Sequence, residues 1–434
     1  MSATNFTLKV LGIKDENISV SERIDSVVKK GIRHTVIFAK LSYNPDACPV
    51  CGTINENYSI IKNGTKTSNI KILPINGDPA FLRVQKQRFL CKSCGHSFSA
   101  ETDIVEKNCF ISRKVKLKIL DLASEKVSES FMAKETVVSA STVGRTIDRC
   151  FGWFKPSKNR LPEHLMFDEF KSVKNVSGSM SFIYADAESH QIVDIVEDRR
   201  LFLLKRYFRR FTPAARQSVK TICMDMYSPY ISLVRELFPN AAIIFDRFHI
   251  VQLLSRALIK TRIDEMAAHN THTMEYKRLK RYWKLIQKDS SALSRAEFHH
   301  YTHFKYFVSE QTVVNESIAV SPVLTATYNA YQLLLSDLRN RRSDLIIVHL
   351  KALLAEKETL SEPMVKSIRT LLSYQEETIN ALKYNYSNGP IEGINNYIKV
   401  LKRIAFGYRS FVRMRNRILI THNLLKTKKE YRAA

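Results

Sequence analysis

Two sets of side chains in this sequence have the types and spacing to do chemistry. The first is sulfur: Cys48-Pro-Val-Cys51-Gly52 and Cys91-Lys-Ser-Cys94-Gly95, with 39 residues between the pairs. In each unit two thiolates converge on one ion, and the glycine after the second cysteine permits the tight turn this needs. Two such knuckles complete a tetrahedral four-sulfur site, so one structural Zn²⁺ held by Cys48, Cys51, Cys91 and Cys94 is expected. A redox CxxC is disfavoured because both pairs carry the knuckle glycine. The second set is carboxylate: Asp168, Asp225, Asp246 and Glu392, with His249 three residues after Asp246. Anionic oxygens are what Mg²⁺ prefers, with Mn²⁺ a possible substitute. Two such ions about 4 Å apart can activate the attacking oxygen and stabilise the leaving oxygen of a phosphodiester.

Elements must bring those acids together. Val219 to Met224 and Ala241 to Phe245 are short apolar runs that each end in an aspartate, with an amphipathic segment from Pro229 to Phe238 between them. This reads as strand, helix, strand, and a right-handed crossover puts Asp225 and Asp246 at the carboxyl ends of parallel strands, where open sheets bind ligands. An aspartate there is also an ordinary turn or helix-cap residue, so the case rests on the rest of the chain. His164 to Phe167 is a strand ending in Asp168-Glu169. Ser181 to Ala185 and Gln191 to Val196 form an antiparallel pair around the turn at 186–190, and Leu201 to Arg216 is a basic helix. The order β, β, β, α, β, α, β is that of an RNase H-like domain, whose first and fourth strands lie side by side. Asp168 and Asp225 should therefore face each other, with Asp246 one strand further out and the weaker candidate for the metal. Glu392 falls in the first turn of a helix opened by Asn388-Gly389-Pro390.

The remainder divides as follows. Residues 1–44 are an ordered lead-in with a basic, partly amphipathic segment from Ile24 to Lys40, and 45–105 are a zinc ribbon with strand-like alternation between the knuckles. Residues 110–155 are a helix-turn-helix domain, in which Ala133 is the small residue at the crossing and Val138-Ser139 the turn. Ser141, Thr142 and Arg145 open its recognition helix and can reach phosphates and base edges. The catalytic core occupies 163–250, is interrupted by an all-helical stretch at 251–382, and resumes at 383–434. Trp283 in the helical stretch could stack on an unpaired base, although an aromatic at helical spacing is more commonly core. From residue 384 onward there are 11 Lys and Arg against 2 acidic residues. Lys399, Lys402, Arg403, Arg409, Arg413, Arg415 and Arg417 would lie along a phosphate backbone, or merely form a solvated basic helix.

Bulk properties agree. A formal charge of +26 and a pI near 9.7 point to a polyanionic partner, with nucleic acid preferred to a membrane surface because no apolar run is long enough to span one. At 44% hydrophobic content the chain can bury real cores, and seven cysteines in a chain this long suit metal better than disulfides. A soluble, cytoplasmic protein is expected.

The sequence resembles the DDE transposases of bacterial insertion sequences, in particular the ISL-three group. The likeness is carried by CPVCG and CKSCGHSFS, the helix-turn-helix, FDEF, MDMYSPYISLVRELFPNAAIIFDRFHIV and NGPIEGINNYIKVLKRIAFGYRSFVRMRNRIL. The resemblance implies a catalytic triad of Asp168, Asp225 and Glu392, a helical insertion before the Glu helix, and an accessory Asp246-x-x-His249 signature. It further implies binding of the terminal inverted repeats, hydrolysis at the element's ends, and transfer of the freed 3′ hydroxyl onto target double-stranded DNA. A homodimer or higher oligomer would hold the two ends, in a nucleoid-associated complex. The competing readings are a DNA-binding regulator, such as a domesticated transposase that no longer cuts, and a nuclease without strand transfer.

Overall fold

The computed structural model describes residues 3–29 and 31–433. The chain divides into two compact units, residues 1–154 with 400–434, and residues 155–399.

The first unit begins with α1 (Ala3–Leu11) and a sheet of β1 (Ile18–Lys29), β2 (Ile32–Leu41), β3 (Ile60–Ile75) and β4 (Asp78–Cys91), in the order β1-β2-β4-β3, with short β5 (Ser97–Ser99) beside β4. Residues 18–41 are thus no separate lead-in: β2 pairs in parallel with β4, and the ribbon's sheet depends on it. Ile37, Ala39 and Leu41, every second residue, bury against Ile70, Leu82 and Val84, a period of two rather than the amphipathic period expected there. The β3–β4 hairpin turns on Asn76-Gly77, both at positive φ (50° and 84°), as a two-residue turn between right-twisted strands requires.

Three helices follow, α2 (Arg113–Ala123), α3 (Glu129–Glu135) and α4 (Ala140–Arg149). Ser112, Ser128 and Ser139 cap them, each accepting a hydrogen bond from the backbone N–H three residues on. They close around Val115, Ile119, Met132, Val143 and Ile147, and a residue from the far end of the chain, Ile420, completes that core.

In the second unit, β6 (His164–Lys171), β7 (Met180–Asp186), β8 (Ile192–Val196), β9 (Thr221–Met224) and β10 (Ala242–Phe245) form one sheet in the order β10-β9-β6-β7-β8. β6, β7 and β8 are antiparallel, whereas β9 and β10 run parallel to β6 and to each other. Apolar residues such as Phe167, Phe182, Tyr184 and Ile222 are fully buried, as strands covered on both faces demand. The basic helix expected at 201–216 is two helices, α5 (Leu201–Phe208) and α6 (Pro213–Gln217). Pro213 cannot continue the first helix, and Thr212 caps the second.

After β9 comes α7 (Ser228–Leu237). α8 (Arg247–Ala267) starts directly at the end of β10, capped by Asp246, so no boundary falls at residue 250. The helical region continues through α9 (Met274–Arg281), α10 (Trp283–Gln287), α11 (Glu310–Ile318), α12 (Pro322–Arg339), α13 (Ile346–Ala355), α14 (Glu362–Ser373) and α15 (Gln375–Lys383). Its apolar faces join the sheet's core through Leu254, Leu258, Leu334 and Ile368.

The chain ends with α16 (Gly389–Ile404) and α17 (Phe411–Ala433). The tail from residue 400 belongs with the three helices of the first unit rather than forming one piece with the Glu-bearing segment. Arg413 lies over Gly144, where a Cβ would fall 2.5 Å from the guanidinium carbon, and pairs with Asp148 at 2.8 Å and Glu129 at 3.6 Å. Arg415 donates to the Phe154 carbonyl at 2.9 Å, and Arg417 to the Glu125 and Val127 carbonyls at 2.8 and 2.7 Å. Arg415 and Arg417, expected along a phosphate backbone, are buried, and Arg413 is engaged by two carboxylates. Basic composition alone cannot tell a helix that faces an anion from one whose guanidinium groups satisfy carbonyls left over at neighbouring helix ends. Replacing Arg417 with Met should leave those two carbonyls buried and unpaired, lowering stability by about 2–4 kcal/mol in urea unfolding. An unchanged midpoint and slope would show that the guanidinium is dispensable.

Candidate active site

The zinc knuckles assemble as their spacing implies. Ligand atoms of Cys48, Cys51, Cys91 and Cys94 lie within 4.8 Å of one another, with Cys48 Sγ 3.7 Å from Cys94 Sγ and Cys51 Sγ 3.7 Å from Cys91 Sγ. Gly52 and Gly95 sit at φ 73° and 70°, and each donates its N–H to the carbonyl of its knuckle's first cysteine, at 3.0 and 2.9 Å. The long gap between knuckles is the β3–β4 hairpin, whose last residue is Cys91. The Thr53 hydroxyl, 3.1 Å away, and the Thr53 backbone hold the Cys51 thiol down to about 6. Four converging sulfurs, one already inclined to ionise, fit a tetrahedral structural zinc.

The acids converge in the second unit. The β6–β9 register pairs Met166 with Cys223, so Asp168 and Asp225 stand two residues further along adjacent strands. Asp168 Oδ1 accepts from the Glu169 backbone N–H at 2.7 Å, and its Oδ2 accepts from Asn395 Nδ2 at 2.7 Å. Burial, then the charges of Asp225, Glu169 and Glu392, push the Asp168 carboxyl up to about 7 against that backbone hydrogen bond. Asp225 Oδ1 lies 2.9 Å from His249 Nε2, and this contact raises the imidazole above its usual range. Asp246 is buried at 4% exposure and caps α8, accepting from the Phe248 N–H at 3.3 Å.

Asp246, His249 and Glu392 each offer a ligand atom within 4.8 Å of the others. The first turn of α8 carries His249 back towards the sheet, so the outer strand's aspartate reaches Glu392. Asp246 thus lies closer to the centre than its place one strand out suggests. Glu169 is not free to join: Arg199 holds one of its oxygens and the Tyr230 hydroxyl donates to the other at 2.6 Å. A cavity of about 310 Å³ opens beside Asp225, lined also by Tyr227, His249 and Arg256.

Two asparagines escaped the sequence reading. Asn388 donates Nδ2 to the Phe167 carbonyl at 3.0 Å and to Asp225 Oδ1 at 3.4 Å, while Asn395 also reaches the Glu169 carbonyl at 3.2 Å. Both are buried, and neither Oδ1 meets a donor among the described residues. Asn388, Glu392 and Asn395 stand at i, i+4 and i+7, one face of a helix, and that spacing was the available signal.

Among the other expected contacts, Ser141 and Arg145 are exposed on α4, and Arg145 donates to Thr142 Oγ1 at 3.3 Å. Lys399, Arg403 and Arg409 are exposed, and Lys402 is half-buried. Trp283 is 38% exposed, with the Lys284 ammonium 5.6 Å from its ring centroid.

One unit thus carries a four-cysteine knuckle pair, and the other a cluster of acidic side chains at the strand ends of a mixed sheet. The family model described as Transposase, of the DDE kind in the ISL3 group, matches residues 165–418, and a second, the zinc-finger of transposases IS204, IS1001, IS1096 and IS1165, matches residues 44–94. This chain belongs to the ISL3-group transposase family. It is 22% identical over 364 residues to the transposase for insertion sequence element IS1001 of Bordetella parapertussis, covering 80% of this chain and 82% of that one. A Lactococcus lactis protein named ATP-dependent protease is 37% identical over 115 residues, 26% of this chain, which spans 36% of that protein's length. No helix among the described residues is long and apolar enough to cross a membrane.

Elemental analysis should find about one zinc per chain, lost when Cys48 and Cys91 are both changed to Ser. Folded protein without zinc would contradict the assignment.

Proposed function

We propose that this chain is an RNase H-like DDE transposase that binds the terminal inverted repeats of a bacterial insertion sequence, cuts there in a Mg²⁺-dependent reaction, and joins the freed 3′ ends to target DNA in the cytoplasm. The observation that carries this reading is the clustering of acids at the carboxyl ends of adjacent strands: Asp168 and Asp225 stand side by side, Asp225 pairs with His249, and His249 with Asp246 lies beside Glu392, which comes from a helix more than 160 residues on. Clustered carboxylates repel one another, and a divalent cation is the natural counter-charge.

Asp168, Asp225 and Glu392 would hold the cation, with Asp246 able to join through the Glu392 side. When bound, the metal supplies Lewis-acid activation of the attacking oxygen and stabilisation of the leaving oxygen. The chain's own residues do the positioning. Asn395 and Asn388 orient the two aspartates, because an ionised carboxylate only accepts hydrogen bonds and so selects the amide N–H over the amide oxygen. His249, its Nε2 held 2.9 Å from Asp225 Oδ1, fixes the rotamer of that aspartate. Arg199 and Tyr230 keep Glu169 out of the centre.

DNA recognition falls to the first unit, where α2 to α4 form the helix-turn-helix and α4 its recognition helix, supported by the exposed Ser141 and Arg145 at that helix's start. Lys399, Lys402, Arg403 and Arg409 remain as phosphate contacts, and Arg413 is reassigned to positioning α4. Cutting two ends together implies at least a homodimer on DNA.

Glu392→Gln should abolish nicking and joining of a DNA end in Mg²⁺ while leaving its affinity for that DNA within about threefold, since phosphate contacts dominate binding. Undiminished joining by that variant would remove Glu392 from the site, and binding without cutting by the unaltered chain would favour a regulator. Asn395→Ala should weaken Mn²⁺ binding about 10–100-fold by calorimetry, with zinc content unchanged, as loss of a group that orients a ligand does. Equal Mn²⁺ affinity would show that Asn395 only packs.

A further inference from the structure

Helix α16 ends in a Schellman motif: the Gly407 N–H bonds to the Lys402 carbonyl at 2.9 Å and the Phe406 N–H to the Arg403 carbonyl at 3.0 Å. The residue such a motif places in the left-handed region is usually glycine. Here it is Phe406, at φ 52°, while the glycine stands one position later at φ 90°. A Cβ there carries a conformational cost, and the fold recovers nothing for it, because the Phe406 side chain is 97% exposed. A bulky aromatic is therefore held out into solvent at a position where the backbone favours having none.

Its surroundings indicate what it meets. Arg403 and Arg409 flank it, both exposed, and residues 393–429 contain no Asp or Glu at all. Ser410 caps α17, accepting from the Arg413 N–H at 3.3 Å, and Arg413 lies over Gly144 and pairs with Asp148 of α4. Phe406 is four residues before that cap, within about 14 Å of it even with the chain fully extended. The tip thus lies in the first unit, in the segment that Arg413 ties to α4, the helix that exposes Ser141 and Arg145.

We propose that Phe406 is a wedge that enters between stacked base pairs of duplex DNA lying on α4, with Arg403 and Arg409 on the phosphates either side. The inference rests on the DNA-binding reading given above and adds to it a deformation of the DNA. Exposed apolar side chains on cationic surfaces kink duplexes by roughly 20–90° in this way, most easily at TA and CA steps.

The test uses full-length protein and dye-labelled duplexes cut from the DNA that flanks its coding sequence, read by end-to-end energy transfer. The unaltered chain should bend the duplex. Phe406→Gly should abolish the bend while keeping affinity within about threefold and the same salt dependence, because the phosphate contacts remain. Phe406→Leu, still a wedge, should retain most of the bend. Phe406→Gly should also melt at the same temperature or about 1–3 °C higher, since glycine suits the left-handed position. Equal bending by Phe406→Gly, or binding by the unaltered chain with no bend, would overturn the wedge and leave DNA recognition standing. A Phe406→Gly protein that bends DNA normally but sediments as a smaller species would assign the tip to a second copy of the chain instead. Failure of the unaltered chain to bind any of these duplexes would remove the DNA-binding reading itself, and the wedge with it.

Discussion

The acidic cluster of the second unit depends on holding like charges close together. Asp168 and Asp225 stand at adjacent strand ends with Asp246 and Glu392 close by, and burial with the repulsion of neighbouring carboxylates is enough to push the Asp168 carboxyl up to about 7. Without an ion such a group tends to spread, and what opposes this is a face of α16. Asn388 and Asn395 donate amide N–H groups to one aspartate each and to the carbonyls of Phe167 and Glu169. Glu392, between them on the same face, is delivered to the carboxylates by bonds that its own charge could never make. The arrangement explains why two buried asparagines, Asn388 and Asn395, interrupt the apolar face that Ile391, Ile394 and Ile398 otherwise form.

A related constraint governs the first unit. Its three short helices leave carbonyls at their ends, and α17 answers them with arginines whose fork geometry suits several acceptors at once. Gly144 has no side chain because the Arg413 guanidinium occupies that space. The basic tail therefore has two populations: buried guanidinium groups that hold the helices together, and exposed ones around the α16–α17 turn.

Local patterns in the chain were sufficient where neighbouring residues decide the outcome. The cysteine knuckles, the strand-end aspartates and the antiparallel strands from 164 to 196 all follow from spacing and period. Reading failed where the deciding partner lies far off in sequence. The place of β1 and β2 in the sheet is not legible locally, because β2 pairs in parallel with β4 residues more than 40 positions away. Arg413, Arg415 and Arg417 were taken for a solvated or DNA-facing stripe because nothing nearby in sequence shows the carbonyls and carboxylates of residues 125–154 that claim them. Pro213 did signal the break between α5 and α6, and the run of basic residues obscured it.

By itself, then, the order of residues determined which side chains could serve as metal ligands and which strand ends would present the aspartates, since turn chemistry and hydrophobic period act over a few residues. Only tertiary structure decided how those ligands group. The turn from β10 into α8 returns His249 to Asp225 and brings Asp246 to Glu392, and α16 docks two asparagines against the sheet. Such choices depend on packing and charge balance between segments far apart in the chain, and no local pattern carries that information.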